Sequence, residues 1–359
     1  MDTPAQQPPP PPVSYPPPRE GRSVSFYVAI FLGLLLLVSG ALNLLLLFVN
    51  VIGSATAPFG GGSFADEDGM YEFVTVGGDR GARDTVLRIP IEGAISEAAA
   101  PLIGGSGETV SRVRRALRAA ARNKDIKAVL LDINSPGGGV TDSDEIHHLL
   151  SEFRQREGKK VLALFGDTAA SGGYYIAVAC DRIVARPTSI TGSIGVIISS
   201  YNYADGLAKL GVKPVTLISP DTPYKDILSG TRPMTDDERG KLIAIVQEMY
   251  ERFVDVVDAG RSNLDRAGVK ELANGLIYSA QQAERNGLID GIGSADDALA
   301  MLREMAELGD DVKLVEYRRV PTFLDALIGT PRVSVDSVVA QALRGRTGPR
   351  FLYYWQGGR

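Results

Sequence analysis

The stretch KAVLLDINSPGGGV, from Lys127 to Val140, joins an apolar run to a glycine-rich turn. The run KAVLLDINS is typical of a strand that is covered on both faces. Three consecutive glycines, Gly137 to Gly139, follow it. At the carboxyl end of a parallel strand, such glycines let a ligand approach the backbone and expose N–H groups that can hold negative charge. A tight turn with no ligand is the alternative interpretation.

Short strands alternate with helices on both sides of this stretch. The predicted strands cover residues 85–95, 127–135, 159–167, 181–187, 213–219 and 312–317. The predicted helices cover residues 108–123, 142–156, 171–179 and 236–260. The last of these helices has a clear start signal, because Thr235 and Glu238 have the spacing of a capping box. The alternation, without an internal repeat, predicts one α/β domain of parallel strands joined by helical crossovers.

An apolar segment precedes this domain. Residues 23–52 contain no charged side chain, and the next one is Asp66. About 24 apolar residues in a helix span roughly 36 Å, enough for a hydrocarbon core of about 30 Å. The segment is too long for the apolar region of a cleaved signal peptide, so one transmembrane helix is predicted. Arg19 and Arg22 precede it and acidic residues follow, which predicts a cytoplasmic N-terminus and an extracytoplasmic domain.

The remaining segments differ in composition from the predicted domain at residues 84–320. Residues 1–22 are rich in proline, which predicts a disordered cytoplasmic tail. The composition of residues 53–83 predicts a flexible linker. Residues 321–359 predict a helical extension with an aromatic tail. The aromatic side chains of this tail need a surface that buries them. That surface belongs to a neighbouring copy, to the substrate groove or to the tail's own domain.

Composition excludes several kinds of site. The net charge is -5, and no basic run provides a local field for nucleic acid, so no nucleic-acid partner is expected. Cys180 is the only cysteine, which rules out an intrachain disulfide and a metal site built on cysteines. It lies in an apolar run and is predicted to be buried. No cofactor and no metal is expected.

A candidate nucleophile lies in the stretch DTAASGGYYIA, from Asp167 to Ala177. Ser171 stands at the predicted start of a helix with two glycines behind it, where partial positive charge favours an alkoxide or an oxyanion. Serine is also a common helix N-cap, and the short motif alone does not separate these two functions.

The base that would activate Ser171 is not an obvious histidine. The two histidines, His147 and His148, are adjacent on a predicted helix and point about 100° apart, so at most one faces inward. We expect neither to be catalytic. A lysine in apolar surroundings is the known alternative base. Lys225 fits this description, since it lies in the loop PDTPYKDILSG beside tyrosine, isoleucine and leucine.

Four motifs in this order resemble the signal peptide peptidase A family: NSPGGG, DTAASGGYY, TGSIGV and YKD. The resemblance covers roughly residues 84–300. It implies a membrane-anchored serine protease with a Ser/Lys dyad and a Clp-protease-like, crotonase-related fold. It also implies a ring-like homo-oligomer in which serine and lysine meet across neighbouring copies, and apolar peptide substrates such as remnant signal peptides.

The resemblance assigns a role to each matching residue. Ser171 matches the nucleophile, Lys225 the general base and Ser193 the serine that orients the lysine. The amides of Gly138 and Gly172 match the oxyanion hole. A free lysine has a pKa near 10.4 and a base at neutral pH needs about 7 to 8, so Lys225 requires an apolar site.

Three further expectations follow from the sequence. Asp226 would favour the charged lysine, so we expect its carboxylate to serve its own loop instead. An acyl-CoA hydratase or isomerase of the same broad fold is an alternative function, which the predicted outward orientation opposes. A catalytically idle membrane scaffold is another alternative, which the joint presence of Ser171, Ser193 and Lys225 opposes.

Overall fold

The computed structural model describes residues 31–40, 71–96 and 108–320, and the backbone of residues 351–354. The chain divides into two units, Met1–Gly62 and Ser63–Arg359. In the first unit residues 31–40 form helix α1. The rest of the predicted membrane segment and the whole proline-rich tail lie outside the described residues. Among the helices that the structure describes, none combines the length and the apolar character that a membrane crossing needs.

The strands and helices of the second unit have the following bounds. The strands are β1 (Tyr71–Gly78), β2 (Asp84–Glu92), β3 (Ile126–Ser135), β4 (Gly137–Gly139), β5 (Lys160–Ala170), β6 (Arg182–Ala185), β7 (Ile190–Gly192), β8 (Ile197–Ile198), β9 (Ile277–Ser279), β10 (Gly291–Ile292), β11 (Val312–Arg319) and β12 (Phe351–Tyr354). The helices are α2 (Thr109–Arg122), α3 (Val140–Glu157), α4 (Gly172–Ala177), α5 (Ala204–Lys209), α6 (Asp236–Gly260), α7 (Arg266–Leu272), α8 (Ala280–Arg285) and α9 (Ala295–Met305).

A mixed sheet forms the centre of this unit, in the strand order β1, β11, β2, β3, β5, β6, β10. Strands β2, β3, β5 and β6 are parallel to their neighbours, and α2 and α3 connect them as crossovers. This confirms the predicted α/β class with parallel strands and helical crossovers. Strand β7 adds to the carboxyl end of β5 and pairs on its other side with β9.

The apolar run of β3 is buried on both faces of the sheet. Val129, Leu131 and Ile133 belong to one apolar cluster, which includes residues of α2, α3, α4 and α6. Ala128 and Leu130 belong to a second cluster that contains residues of α9. Because alternate residues of a strand face opposite sides, a strand covered on both sides needs an unbroken apolar run. The sequence of β3 has this property.

Helix α6 begins and ends at the predicted residues. The Glu238 N–H donates to the Thr235 hydroxyl, and the Thr235 N–H donates to the Glu238 carboxylate. Both bonds of the predicted capping box are therefore present. This cap fixes the position of the chain immediately before α6, which includes the loop that carries Lys225.

Two local predictions are wrong. The predicted linker over residues 53–83 contains β1, which pairs antiparallel with β11. The predicted strand over residues 213–219 has no regular structure, and Leu217 is 93% exposed. An apolar run becomes a strand only when another strand pairs with it, and none of the described strands pairs with this run.

A small antiparallel sheet lies at the end of β3, in the order β4, β12, β8. Its outer strands come from the glycine turn and from the segment after Ser193. Its middle strand, β12, comes from the predicted aromatic tail. This places the backbone of residues 351–354 next to the candidate site.

Candidate active site

Ser171 occupies a sharp turn between β5 and α4. Its backbone angles, φ 52° and ψ −114°, lie in a region that residues other than glycine rarely adopt. Two hydrogen bonds hold the turn: the Ser171 N–H donates to the Gly192 carbonyl at 2.8 Å, and the Tyr175 N–H donates to the Ser171 carbonyl at 2.8 Å. The side chain makes no capping hydrogen bond to α4, and the residue is 1% exposed. Ser171 therefore stands at the N-cap position of α4, but its side chain does not cap the helix.

Ser193 is the neighbour of Ser171 on the adjacent strand. Strands β5 and β7 are parallel, and Ala170 pairs with Gly192, so the residue that follows each strand is a serine. Adjacent strands lie about 4.8 Å apart, which makes these two serines near neighbours. Ser193 also has a positive φ, 50°, and its N–H donates to the Leu276 carbonyl at 2.7 Å. The structure thus brings two of the three predicted catalytic side chains to one sheet edge.

The glycine turn presents one amide on the side opposite Ile95, where β12 lies. The Ile95 N–H donates to the Gly137 carbonyl and the Gly139 N–H donates to the Ile95 carbonyl, both at 2.9 Å. Because successive amides of an extended chain alternate in direction, the Gly138 N–H faces the opposite side. A Cβ on Gly138 would collide with the Ile95 carbonyl oxygen, so this position requires glycine.

Gly172 and Gly138 approach each other closely. A Cβ placed on Gly172 would lie 3.1 Å from the Gly138 nitrogen and 3.2 Å from the Gly137 Cα. The two backbone segments therefore converge next to Ser171, as an oxyanion hole built from their amides requires. The fold brings together both glycines that the sequence predicts for this role.

Strand β12 lies directly beside the glycine turn. Tyr353 is opposite Gly138, and Leu352 is opposite both Gly139 and Ile197. An extended segment can thus fill the space between β4 and β8 by strand pairing on both edges. Of the three alternatives for the tail, the structure places its backbone at the candidate groove of its own chain.

No hydrogen bond joins Lys225 to Ser171 among the described residues of the single chain. Lys225 is exposed, and its side chain makes no hydrogen bond or ion pair within the described part of the chain. The apolar pocket that we expected around it is absent among the described residues of one copy. The physical reason is that residues 208–225 are exposed throughout, so that even Leu210 and Val215 are 78% and 82% exposed.

Both neighbours of Lys225 are tied to the start of α6. The Tyr224 hydroxyl donates to Asp237 at 2.8 Å. Arg232 donates to both oxygens of the Asp226 carboxylate, at 2.9 and 2.8 Å, and to the Glu238 carboxylate. These bonds hold the pKa of Asp226 below its usual range and lower the pKa of Glu238 to about 2. As expected, Asp226 serves its own loop.

The histidines and the cysteine lie outside this constellation. Burial lowers the pKa of His147 to about 4, and its ring packs edge-on against Tyr175. His148 is exposed. Cys180 is buried, which raises the pKa of its thiol. No cluster of three or more metal-binding side chains occurs in the described ranges.

Two residues at the site were not found from the sequence. Ser143 lies against Gly172, and Arg232 holds the loop of Lys225. Neither has a sequence signal, because serine and arginine are common on helices and in loops. Ser143 is important because it lies against a residue of another helix, and Arg232 because it connects its loop to α6.

Comparison with known proteins gives consistent results. Residues 153–309 match the family model described as peptidase family S49. A protein named as signal peptide peptidase SppA from Enterococcus faecium is 38% identical over 67% of this chain and 72% of its own length. A protease from Synechocystis is 41% identical over 64% of this chain and 77% of its own length.

More distant similarities extend to a plant protein and to a solved structure. The chloroplastic serine protease SPPA of Arabidopsis thaliana is 32% identical over 71% of this chain and 38% of its own length. The structure of a membrane-bound stomatin-specific protease is 16% identical, covers 61% of this chain and 84% of its own, and aligns with a TM-score of 0.40. The sequence similarities identify the chain as a protease of the signal peptide peptidase A family, peptidase family S49.

Proposed function

We propose that this protease is a membrane-anchored serine endopeptidase with a Clp- and crotonase-like fold that cleaves apolar peptides, such as remnant signal peptides. Ser171 is the nucleophile, Lys225 the general base and Ser193 the residue that orients the lysine. The amides of Gly138 and Gly172 form the oxyanion hole. The observation that carries the proposal is the strained, buried turn of Ser171, which lies between Ser193 and the converging glycines.

The chemistry needs no cofactor. The neutral amine of Lys225 takes the hydroxyl proton of Ser171 while the Ser171 Oγ forms a bond to the scissile carbonyl carbon. The peptide nitrogen leaves with the proton that Lys225 returns, which produces an acyl-enzyme. Water then loses a proton to Lys225 and attacks the ester, and the proton returns to the Ser171 Oγ. In both steps the two glycine amides stabilise the negative oxygen.

Lys225 reaches Ser171 from a neighbouring copy in a ring-like homo-oligomer. The exposed position of Lys225 in one chain supports this, since a charged amine in water is a poor base at neutral pH. The apolar side chains exposed on residues 210–218 support it too, because burial against a second copy would remove them from water. The same burial would lower the pKa of Lys225.

Substrates bind as an extended strand between β4 and β8. The pairing of β12 with both strands supports this geometry, because it involves backbone groups that any peptide possesses. The protease domain is extracytoplasmic and residues 23–52 cross the cell membrane once. The absence of charge in this segment and the arginines before it support that topology.

The test compares hydrolysis of an apolar reporter peptide by the full-length protein and its variants. We expect Ser171→Ala and Lys225→Ala each to lose activity at least about 1000-fold, because each removes one half of the dyad. The double variant His147→Gln, His148→Gln is the control and should retain activity. Activity in Ser171→Ala or in Lys225→Ala equal to that of the wild type would refute the dyad.

A mixing experiment tests the contribution of the second copy. Each of the two inactive variants contains the residue that the other lacks. Co-expression of Ser171→Ala with Lys225→Ala therefore assembles some sites with an intact Ser171 from one copy and an intact Lys225 from the other. We expect activity to return to a measurable fraction of the wild type. No recovery in mixed oligomers of confirmed composition would contradict a site shared between copies.

A further inference from the structure

Ser143 has a buried hydroxyl with no hydrogen-bond partner among the described residues. It lies in the first turn of α3, is fully buried, and its Oγ makes no hydrogen bond among the described residues. The other buried side chains of this helix are Ile146, Leu150 and Phe153, which face the apolar core. Ser143 is therefore the polar exception on the buried face of α3.

The hydroxyl lies against the backbone of the oxyanion hole. A Cβ on Gly172 would be 2.5 Å from the Ser143 Oγ and 3.1 Å from the Gly138 nitrogen. The Oγ and the Gly138 amide thus lie around the same point beside Gly172. Because Gly138 lies just before α3 and Gly172 begins α4, Ser143 lies where the two segments that carry the candidate amides meet.

The energetics of this position call for an explanation. A buried hydroxyl without a partner destabilises the folded state, since it has lost its hydrogen bonds to water. Alanine at position 143 would remove this penalty and would keep the helix. In native proteins an unsatisfied buried group of this kind is uncommon, and a functional site is one place where it occurs. The location beside Gly138 and Gly172 favours a function in catalysis.

We propose that Ser143 is a positioning residue of the oxyanion hole, an inference that rests on the function proposed above. Its side chain occupies the space that glycine leaves at position 172 and sets the separation of the Gly138 and Gly172 amides. Its hydroxyl, which has no partner among the described residues, helps to hold this separation when the amides bind the oxyanion. An interaction that forms only in the transition state raises kcat without changing substrate binding.

The first test is Ser143→Ala in the full-length protein. We expect kcat to fall roughly 10- to 100-fold, as for a small displacement of catalytic groups, while KM changes less than about twofold. Affinity for a peptide aldehyde, which forms a tetrahedral adduct with the nucleophile, should fall in parallel with kcat. The Tm should stay equal or rise, because the unpaired hydroxyl is gone. Unchanged kcat and unchanged aldehyde affinity would overturn the inference.

A pair of compensating substitutions tests the contact independently of stability. Gly172→Ala alone should lose activity, because its Cβ would lie 2.5 Å from the Ser143 Oγ. Adding Ser143→Gly removes that oxygen. The double variant should be at least about 10-fold more active than Gly172→Ala, which is a coupling expected only for residues in contact. A double variant that is no more active than Gly172→Ala would overturn the inference.

Two controls separate this inference from the proposed function. Ser151→Ala changes a serine of the same helix that lies outside the site and should leave kcat unchanged. Ser171→Ala is measured in parallel. If Ser171→Ala keeps full activity, the proposed function fails regardless of the result for Ser143→Ala. If it is inactive while Ser143→Ala behaves as the wild type, the nucleophile stands and the positioning function of Ser143 fails.

Discussion

Arg232 donates hydrogen bonds to both carboxylate oxygens of Asp226, from Nε at 2.9 Å and from Nη2 at 2.8 Å. The same guanidinium donates to Glu238, whose carboxylate belongs to the capping box of α6. A two-pronged arginine–carboxylate pair fixes direction as well as distance. Arg232 therefore connects the turn that carries Lys225 to the most regular element of this region.

Removing this connection should reduce activity. In Arg232→Gln the turn loses its attachment to α6, so we expect kcat/KM to fall about 10-fold through poorer positioning of Lys225. Arg232→Lys should recover part of the loss, because lysine keeps the charge but cannot form the two parallel bonds. Arg239→Gln, an exposed arginine of α6, is the matched control. Peptide hydrolysis measures all three, and wild-type activity in Arg232→Gln would refute this function for Arg232.

His147 should affect stability at acid pH without affecting catalysis. Burial lowers its pKa from 6.5 to about 4. Below pH 6.5 the unfolded chain binds a proton that the folded protein does not bind until about pH 4. The stabilisation by the neutral ring is thus complete above pH 6.5 and is lost as the pH falls toward 4, by up to about 3 kcal/mol.

Denaturant unfolding between pH 4 and 7.5 measures this effect. The stability of His147→Gln should depend less steeply on pH in the window from 6.5 to 4 than that of the wild type. The activity of the variant above pH 6.5 should match the wild type. A variant with the same pH dependence of stability as the wild type would show that the His147 pKa is not depressed.

A methyl group at Gly138 should disable the oxyanion hole. In Gly138→Ala the Cβ collides with the Ile95 carbonyl oxygen, so the strand must shift and carry its amide away from Gly172. We expect kcat to fall at least about 100-fold, the loss typical of one oxyanion donor. Gly240→Ala in α6 is the control, since no atom lies within 4 Å of its added Cβ. Equal kcat values for the two variants would contradict the placement of the hole.

Truncation of the tail should raise kcat/KM. The backbone of residues 351–354 pairs with β4 and β8, where we propose that substrates bind. A chain that ends before Thr347 leaves this strand position open, so KM for an extended peptide should fall several-fold while kcat stays the same. Adding the detached tail peptide should inhibit the truncated protein competitively. Identical KM values before and after truncation would contradict competition by the tail.

Local signals in the sequence predicted a large part of the fold. The capping box at Thr235 identified the start of α6, because both of its partners lie within one turn of the chain. The apolar run of β3 identified a strand buried on both faces. The roles of Gly138, Ser171 and Ser193 came from the resemblance to the family, and the strand β7 that positions Ser193 was not predicted.

Features that depend on distant partners were not predicted correctly. Strand β1 forms because β11, more than 200 residues away, offers an open edge. Residues 213–219 have a strand-like composition but no partner strand among those described. The Ser143 hydroxyl is buried, with no partner among the described residues, because α3 and α4 approach each other, and no local pattern reveals this. Lys225 is identified by its motif, whereas the apolar surroundings that we propose for it require a second copy.

The most direct measurement of the central claim is the rate at which a fluorophosphonate probe labels Ser171, followed by mass spectrometry across pH 6 to 10. Our account predicts a single modified residue, Ser171, and a rate controlled by a group that titrates below the ordinary lysine pKa of about 10.4. In Lys225→Ala the rate should fall at least about 100-fold near pH 8. Equal labelling of wild type and Lys225→Ala, or labelling of a different serine, would contradict the proposed dyad.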